Sequence, residues 1–137
     1  MALYTPQQLS ITKIVKFDAA HYLPEYNGKC QRLHGHTWKV EVEVRLADNQ
    51  SYDPDKDKML LDFSKFKTII NDQVLNQLDH SYLNDPKLYP DLDYPSAENL
   101  VLWIRGRIRM GLPDFVTLTR VRVWESDDSY AEWREWK

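Results

Sequence analysis

Residues 36–46 read His36-Thr37-Trp38-Lys39-Val40-Glu41-Val42-Glu43-Val44-Arg45-Leu46 and alternate without a break. His36, Trp38, Val40, Val42, Val44 and Leu46 fall on one side, and Thr37, Lys39, Glu41, Glu43 and Arg45 on the other. Period-2 alternation over a whole segment marks a half-buried antiparallel strand. Upstream, residues 11–17 (ITKIVKF) are rich in β-branched side chains and predict a partner strand. Downstream, residues 47–58 are polar, carry Pro54 and read as a surface loop. A helix is then expected from Asp62 as N-cap, with Phe63, Phe66, Ile70 and Val74 recurring at three- and four-residue spacing. Pro86, Pro90 and Pro95 make helix improbable over 81–95. Ser96 caps a second expected helix, with Glu98 in its first turn and an apolar stripe of Ala97, Leu100, Val101, Ile104 and Ile108. Arg105, Arg107 and Arg109 lie towards its end, and Gly111 and Pro113 supply the stop. Residues 115–124 predict a third strand and part of 129–136 a fourth. The order β-β-α-α-β-β does not alternate strand with helix. It predicts an α+β fold, a four-stranded antiparallel sheet with two helices on one face. Four strands leave two edges that must be protected or paired with another subunit.

The chain has 137 residues, expected to form one domain over 1–137 with residues 1–10 as an N-terminal extension. A chain of this length buries roughly 68% of its unfolded surface and needs no covalent staple. The formal net charge of −3 argues against a generally basic nucleic-acid binder. With four glycines, no glycine-rich phosphate cradle can be written. No apolar run approaches a membrane span, and MALYTPQQLS lacks the features of a secretory signal. Cys30 is the only cysteine, which rules out an intramolecular disulfide and fits a reducing, cytoplasmic compartment. Trp124, Trp133 and Trp136 read as core or interface packing.

The reactive inventory is small: Cys30 and four histidines, His21, His34, His36 and His80. In extended chain, His34 and His36 point to the same side, roughly 7 Å apart at Cα, a workable bite for one metal ion. His21 ends the first strand region. If the first two strands pair antiparallel, it faces the other two. Three imidazoles with an open fourth position match a catalytic zinc site. Cys30 closing that position would make a structural site, and both readings stand at this level. A set of three histidines does not by itself select zinc over nickel or iron. Asp79-His80 lies at the expected end of the first helix and reads as an acid/base or proton-relay pair. Glu125 ends the third strand, where its carboxylate can accept two parallel N–H bonds from a planar amidine-like edge.

The set FDAAH (17–21), CQRLHGH (30–36), LDH-x-x-LN (78–84), PSAEN (95–99) and WES (124–126) resembles the 6-pyruvoyltetrahydropterin synthase family. It is most similar to the bacterial 6-carboxytetrahydropterin synthase branch, because three residues separate Cys30 from His34-Gly35-His36. The resemblance implies a tunnelling fold (T-fold) and a homo-hexamer built as a dimer of trimers. It implies zinc on His21, His34 and His36, Cys30 as general base, Asp79 and His80 as the rest of a proton relay, and Glu125 as the pterin anchor. The implied substrate is 7,8-dihydroneopterin triphosphate, on the route to queuosine and other 7-deazaguanines. No nucleic-acid or membrane partner is implied. Lys29 and Lys16 are the expected triphosphate contacts.

Overall fold

A computed structural model describes residues 2–136. Its sheet has five strands in the order β3-β1-β2-β4-β5, drawn from β1 (Ser10–His21), β2 (His34–Leu46), β3 (Ser81–Tyr82), β4 (Val116–Ser126) and β5 (Ser129–Arg134). β1 and β2 pair antiparallel from Ser10 opposite Arg45 to His21 opposite His34. The β2–β4 and β4–β5 pairs are also antiparallel. The expected four-stranded antiparallel sheet is therefore corrected to a mixed one. β3 adds to the edge in parallel, with Ala19 opposite Ser81 and Ala20 opposite Tyr82. Two residues carry no alternation to read. Their pairing is tertiary, extended by the Leu83 N–H donating to Ala20 O at 2.9 Å.

The first helical region comprises α1 (Phe63–Ile70), a π-helical stretch (Asn71–Leu75) and α2 (Asn76–Leu78), which follow one another without a break. The second helix is α3 (Ala97–Gly111). Both expected caps form. Asp62 accepts from Ser64 N at 2.7 Å and Ser96 from Asn99 N at 3.2 Å, each cap worth about 1 kcal/mol. Gly111 ends α3 for a reason other than a left-handed turn. A Cβ there would come within 2.6 Å of Gln73 Cγ, so glycine lets α3 close onto the π-helical stretch.

The helices cover one sheet face. Val15, Phe17, Trp38, Val40, Val42, Val121 and Val123 meet Phe66, Ile70, Val74, Leu78, Leu100, Ile104 and Ile108 in one buried core. Alternation sends the polar half of each strand to the other face. There Arg122 bonds Glu132 at 2.6 Å and approaches Glu41 at 3.7 Å, and Arg120 approaches Glu43 at 3.5 Å. Trp124 lies on this polar side, donating to Glu41 at 2.7 Å under the Lys39 ammonium. Of the three C-terminal tryptophans only Trp133 packs against the core, while Trp136 is 93% exposed. Near the N-terminus, Tyr4 and Tyr52 exchange main-chain bonds of 2.8 and 2.9 Å, tying the leading segment to the 47–58 loop. Among the described residues, no helix is long and apolar enough to cross a membrane.

Candidate metal centre and active site

The antiparallel register brings His21 opposite His34, and the alternation of β2 puts His36 on the same side. Each of the three offers a ring nitrogen within 4.8 Å of the others. Ring centroids are 4.6 Å (His21–His34), 5.1 Å (His21–His36) and 4.7 Å (His34–His36) apart. Trp38 floors the cluster edge-on, 5.0 Å from His21 and 5.2 Å from His36.

Main-chain carbonyls orient two of the rings. His21 Nδ1 lies 2.7 Å from Pro95 O, and His34 Nδ1 lies 2.6 Å from Arg32 O. A carbonyl only accepts, so each Nδ1 carries a proton, and in the neutral ring that leaves the lone pair on Nε2. Burial pushes His21 below the ordinary histidine pKa, against the pull of the Pro95 carbonyl. Burial likewise lowers His36, against the attraction of Glu125. Neutral imidazole is the form that binds metal. His21 Nε2 and His36 Nε2 are buried without a hydrogen-bond partner. Unpaired buried nitrogens are costly unless something outside the chain occupies them. These features fit a metal ion held by His21, His34 and His36, with carbonyl support behind the ligands.

Cys30 is absent from this group of donors. It sits half-buried on a short 3-10 turn, Lys29–Gln31, and its carbonyl accepts from Leu23 N at 2.7 Å. That bond returns the turn to the end of β1, two residues beyond His21. Glu125 reaches the cluster from β4, its carboxylate 3.6 Å from His36 Nε2 and 4.0 Å from His21 Nε2. It is the extra residue of an irregularity, because Trp124 pairs with Tyr130 and Ser126 with Ser129. Such bulges re-aim side chains beside sites.

Asp79 and His80 are brought together, with His80 Nδ1 3.1 Å from Asp79 Oδ1. They lie on the other side of the sheet from the histidine cluster, beside Asp18 and Thr37. These are the outward neighbours of the inward-facing Ala19 and His36. An open depression of about 480 Å³ is lined by Asp18, Ala19, Ala20, Gly35, His36, Thr37, His80 and Ser81, so it runs from the Asp79–His80 pair to the strand positions of Ala19 and His36. Among the described residues, the three histidines and the Asp79–His80 pair with Asp18 thus form two separate groups. Lys29 and Lys16 are both exposed.

Several supporting groups escape sequence reasoning. The carbonyls of Pro95 and Arg32 have no side-chain signature. Asn84 exchanges bonds of 2.9 and 3.0 Å with the Tyr22 main chain and holds the chain after β3 against the end of β1. Asp18 and Thr37 are polar residues on the outward face of their strands, and that alternation was the available signal.

The model of the family described as 6-pyruvoyl tetrahydropterin synthase matches residues 10–135. The chain belongs to this family. The structure of Caenorhabditis elegans 6-pyruvoyl tetrahydropterin synthase superposes with a TM-score of 0.75 over 98% of this chain and 97% of that one, at 21% identity. The fold is the family's T-fold. Among curated relatives, a 6-carboxy-5,6,7,8-tetrahydropterin synthase of Synechocystis sp. is 37% identical over 124 residues, 90% of this chain and 91% of its own. A dihydroneopterin monophosphate aldolase of Pyrococcus furiosus is 38% identical over 120 residues, 88% of this chain and 91% of its own.

Proposed function

We propose that this member of the 6-pyruvoyl tetrahydropterin synthase family is a zinc-dependent 6-carboxytetrahydropterin synthase. It would convert 7,8-dihydroneopterin triphosphate and water to 6-carboxy-5,6,7,8-tetrahydropterin, acetaldehyde and triphosphate, in the cytoplasm, for 7-deazaguanine synthesis such as that of queuosine. The observation that carries the reading is the pair of buried, unpartnered Nε2 atoms of His21 and His36 converging with His34 beside Glu125. The name of the Synechocystis relative supports the carboxy product.

His21, His34 and His36 would hold the zinc. Bound there, it supplies Lewis acidity that acidifies the carbons next to the side-chain oxygens it polarises. Glu125 orients the pterin by accepting two parallel N–H bonds from its amidine edge. Cys30 removes a proton from the side chain as general base. His80, its Nδ1 turned to Asp79, has Nε2 free to deliver or take protons as the triphosphate leaves and the carbon–carbon bond breaks. Lys29, next to Cys30, contributes positive charge for the triphosphate, and Lys16 does the same from the outward face of β1. Because the dyad and the cluster occupy opposite faces of one sheet, the working site combines Cys30 and the histidines of one copy with Asp79–His80 of another. That requirement supports the homo-hexamer, a dimer of trimers.

The deciding experiment is product analysis with zinc-quantified protein and 7,8-dihydroneopterin triphosphate. Acetaldehyde together with triphosphate is the expected result. Triphosphate without acetaldehyde would make it a 6-pyruvoyltetrahydropterin synthase. Zinc binding with no product would make it a non-catalytic zinc-binding module. The Pyrococcus furiosus relative motivates a parallel assay with 7,8-dihydroneopterin monophosphate, and preference for that substrate would move the reading to an aldolase.

Glu125→Gln is expected to weaken pterin binding at least about tenfold, since a charged hydrogen bond contributes about 1.5–3 kcal/mol. Zinc content stays unchanged. Titration with a non-reactive pterin measures the effect, and an unaltered Kd would remove Glu125 from the pocket.

A further inference from the structure

Asp18 makes four contacts around the Asp79–His80 dyad. Its backbone N–H donates to Asp79 Oδ1 at 3.0 Å. Its carbonyl accepts from the His80 backbone N–H at 2.6 Å. Its carboxylate accepts from the Thr37 hydroxyl at 2.6 Å, which pins the side chain to β2. An oxygen of that carboxylate also lies within 4.8 Å of the facing atoms of both Asp79 and His80. His80 itself has φ 60°, a left-handed backbone that a non-glycine residue holds only when its surroundings impose it. The two main-chain bonds from Asp18 maintain that conformation and fix where the imidazole begins. The Asp18 N–H is also the main reason the Asp79 carboxyl sits below its ordinary pKa, so Asp79 stays ionised.

Resting on the functional reading above, we propose that Asp18 is a positioning residue for the proton relay. Its main chain sets the dyad in place, and its Thr37-anchored carboxylate gives the imidazole a second negative neighbour beside Asp79. His80 is then oriented from two elements, the end of α2 through Asp79 and β1 through Asp18. The depression is otherwise lined by Ala19, Ala20, Gly35, His36, Thr37 and Ser81, so His36 is its one other titratable side chain. The two carboxylates beside the His80 imidazole are those of Asp18 and Asp79.

The Asp18→Asn variant tests this. Asparagine keeps the shape, the main-chain bonds and an oxygen for Thr37, and removes only the charge. The expected result is a fall in kcat of about tenfold. KM stays within about twofold of wild type, and zinc content and Tm are unchanged. Asp18→Glu restores part of the loss. Thr37→Val, which frees the carboxylate, produces an intermediate fall. In parallel, the His80 ring-nitrogen signals in ¹⁵N-histidine spectra of the zinc-loaded protein shift in Asp18→Asn and hold in a surface control, Asp55→Asn. A kcat within twofold of wild type, or unshifted His80 signals, overturns the proposal. If the wild-type protein turns over no pterin, the functional reading fails by itself, and the spectra alone decide the role of Asp18.

Discussion

Cys30→Ala is expected to lower kcat by about 10³-fold, within the range that loss of a positioned general base produces. Zinc stays at about one ion per chain and Tm stays unchanged. The metal should survive because the three converging donors are all imidazoles and Cys30 is not among them. The fold should survive because the anchor of this turn is the main-chain bond from Leu23 to Cys30 O, which alanine keeps. Metal analysis and steady-state kinetics on the same preparation separate the two readings. Loss of zinc along with activity would instead make Cys30 a fourth ligand of a closed structural site. The same variant tests sharing between copies. Mixed with His80→Ala under subunit exchange, it should regain about a quarter of wild-type activity if neighbours assemble at random. No recovery would confine each site to one chain.

His21→Ala should show the second large effect. His21 is fully buried, its Nδ1 bonded to Pro95 O and its Nε2 aimed at His34 and His36. Zinc affinity should fall by more than about 100-fold, because loss of a supporting partner alone typically costs 10- to 100-fold. Activity should fall with it. Metal-free protein should also lose about 2–4 kcal/mol of stability, from the cavity and from the buried carbonyl left without a donor. Competition with a chromophoric chelator reads the first effect and urea denaturation of the apo-protein the second. Retention of one tightly bound zinc per chain would remove His21 from the metal site.

Much of this architecture was legible because it depends on side-chain chemistry at short range. The alternation from His36 to Leu46 reports a strand with one apolar face, and β2 forms there. Asp62 and Ser96 report caps, and both accept the expected main-chain bonds. Antiparallel pairing of the first two strands was enough to gather His21, His34 and His36. Two of the sequence motifs also acquire physical roles. In PSAEN, Pro95 supplies the carbonyl behind His21, Ser96 caps α3, and Asn99 Nδ2 bonds Tyr94 O at 2.8 Å. In LDH-x-x-LN, Asn84 ties the chain after β3 to Tyr22.

The features that escaped reading depend on long-range placement. β3 is too short to carry a period and exists because β1 offers it an edge. The π-helical stretch shares the apolar spacing of an ordinary helix at Phe66, Ile70 and Val74. The outward position of Asp79–His80 follows from where the chain crosses the edge of β1, which no local pattern encodes. By sequence, Cys30, His21, His34 and His36 gather where two strands meet, and His80 stays beside Asp79 at a helix end. The fold keeps the histidine cluster and the Asp79–His80 pair apart, and only assembly can unite them under the proposed mechanism.

The carbonyl of Pro95 behind His21 has an evolutionary consequence. Every residue type supplies a main-chain oxygen, so the identity of residue 95 can drift while the acceptor persists. Its distance from His21 is set by the path of the chain between Asp85 and Ser96. That segment should therefore tolerate substitutions far better than insertions or deletions, since a one-residue change in length would withdraw the oxygen from the ring.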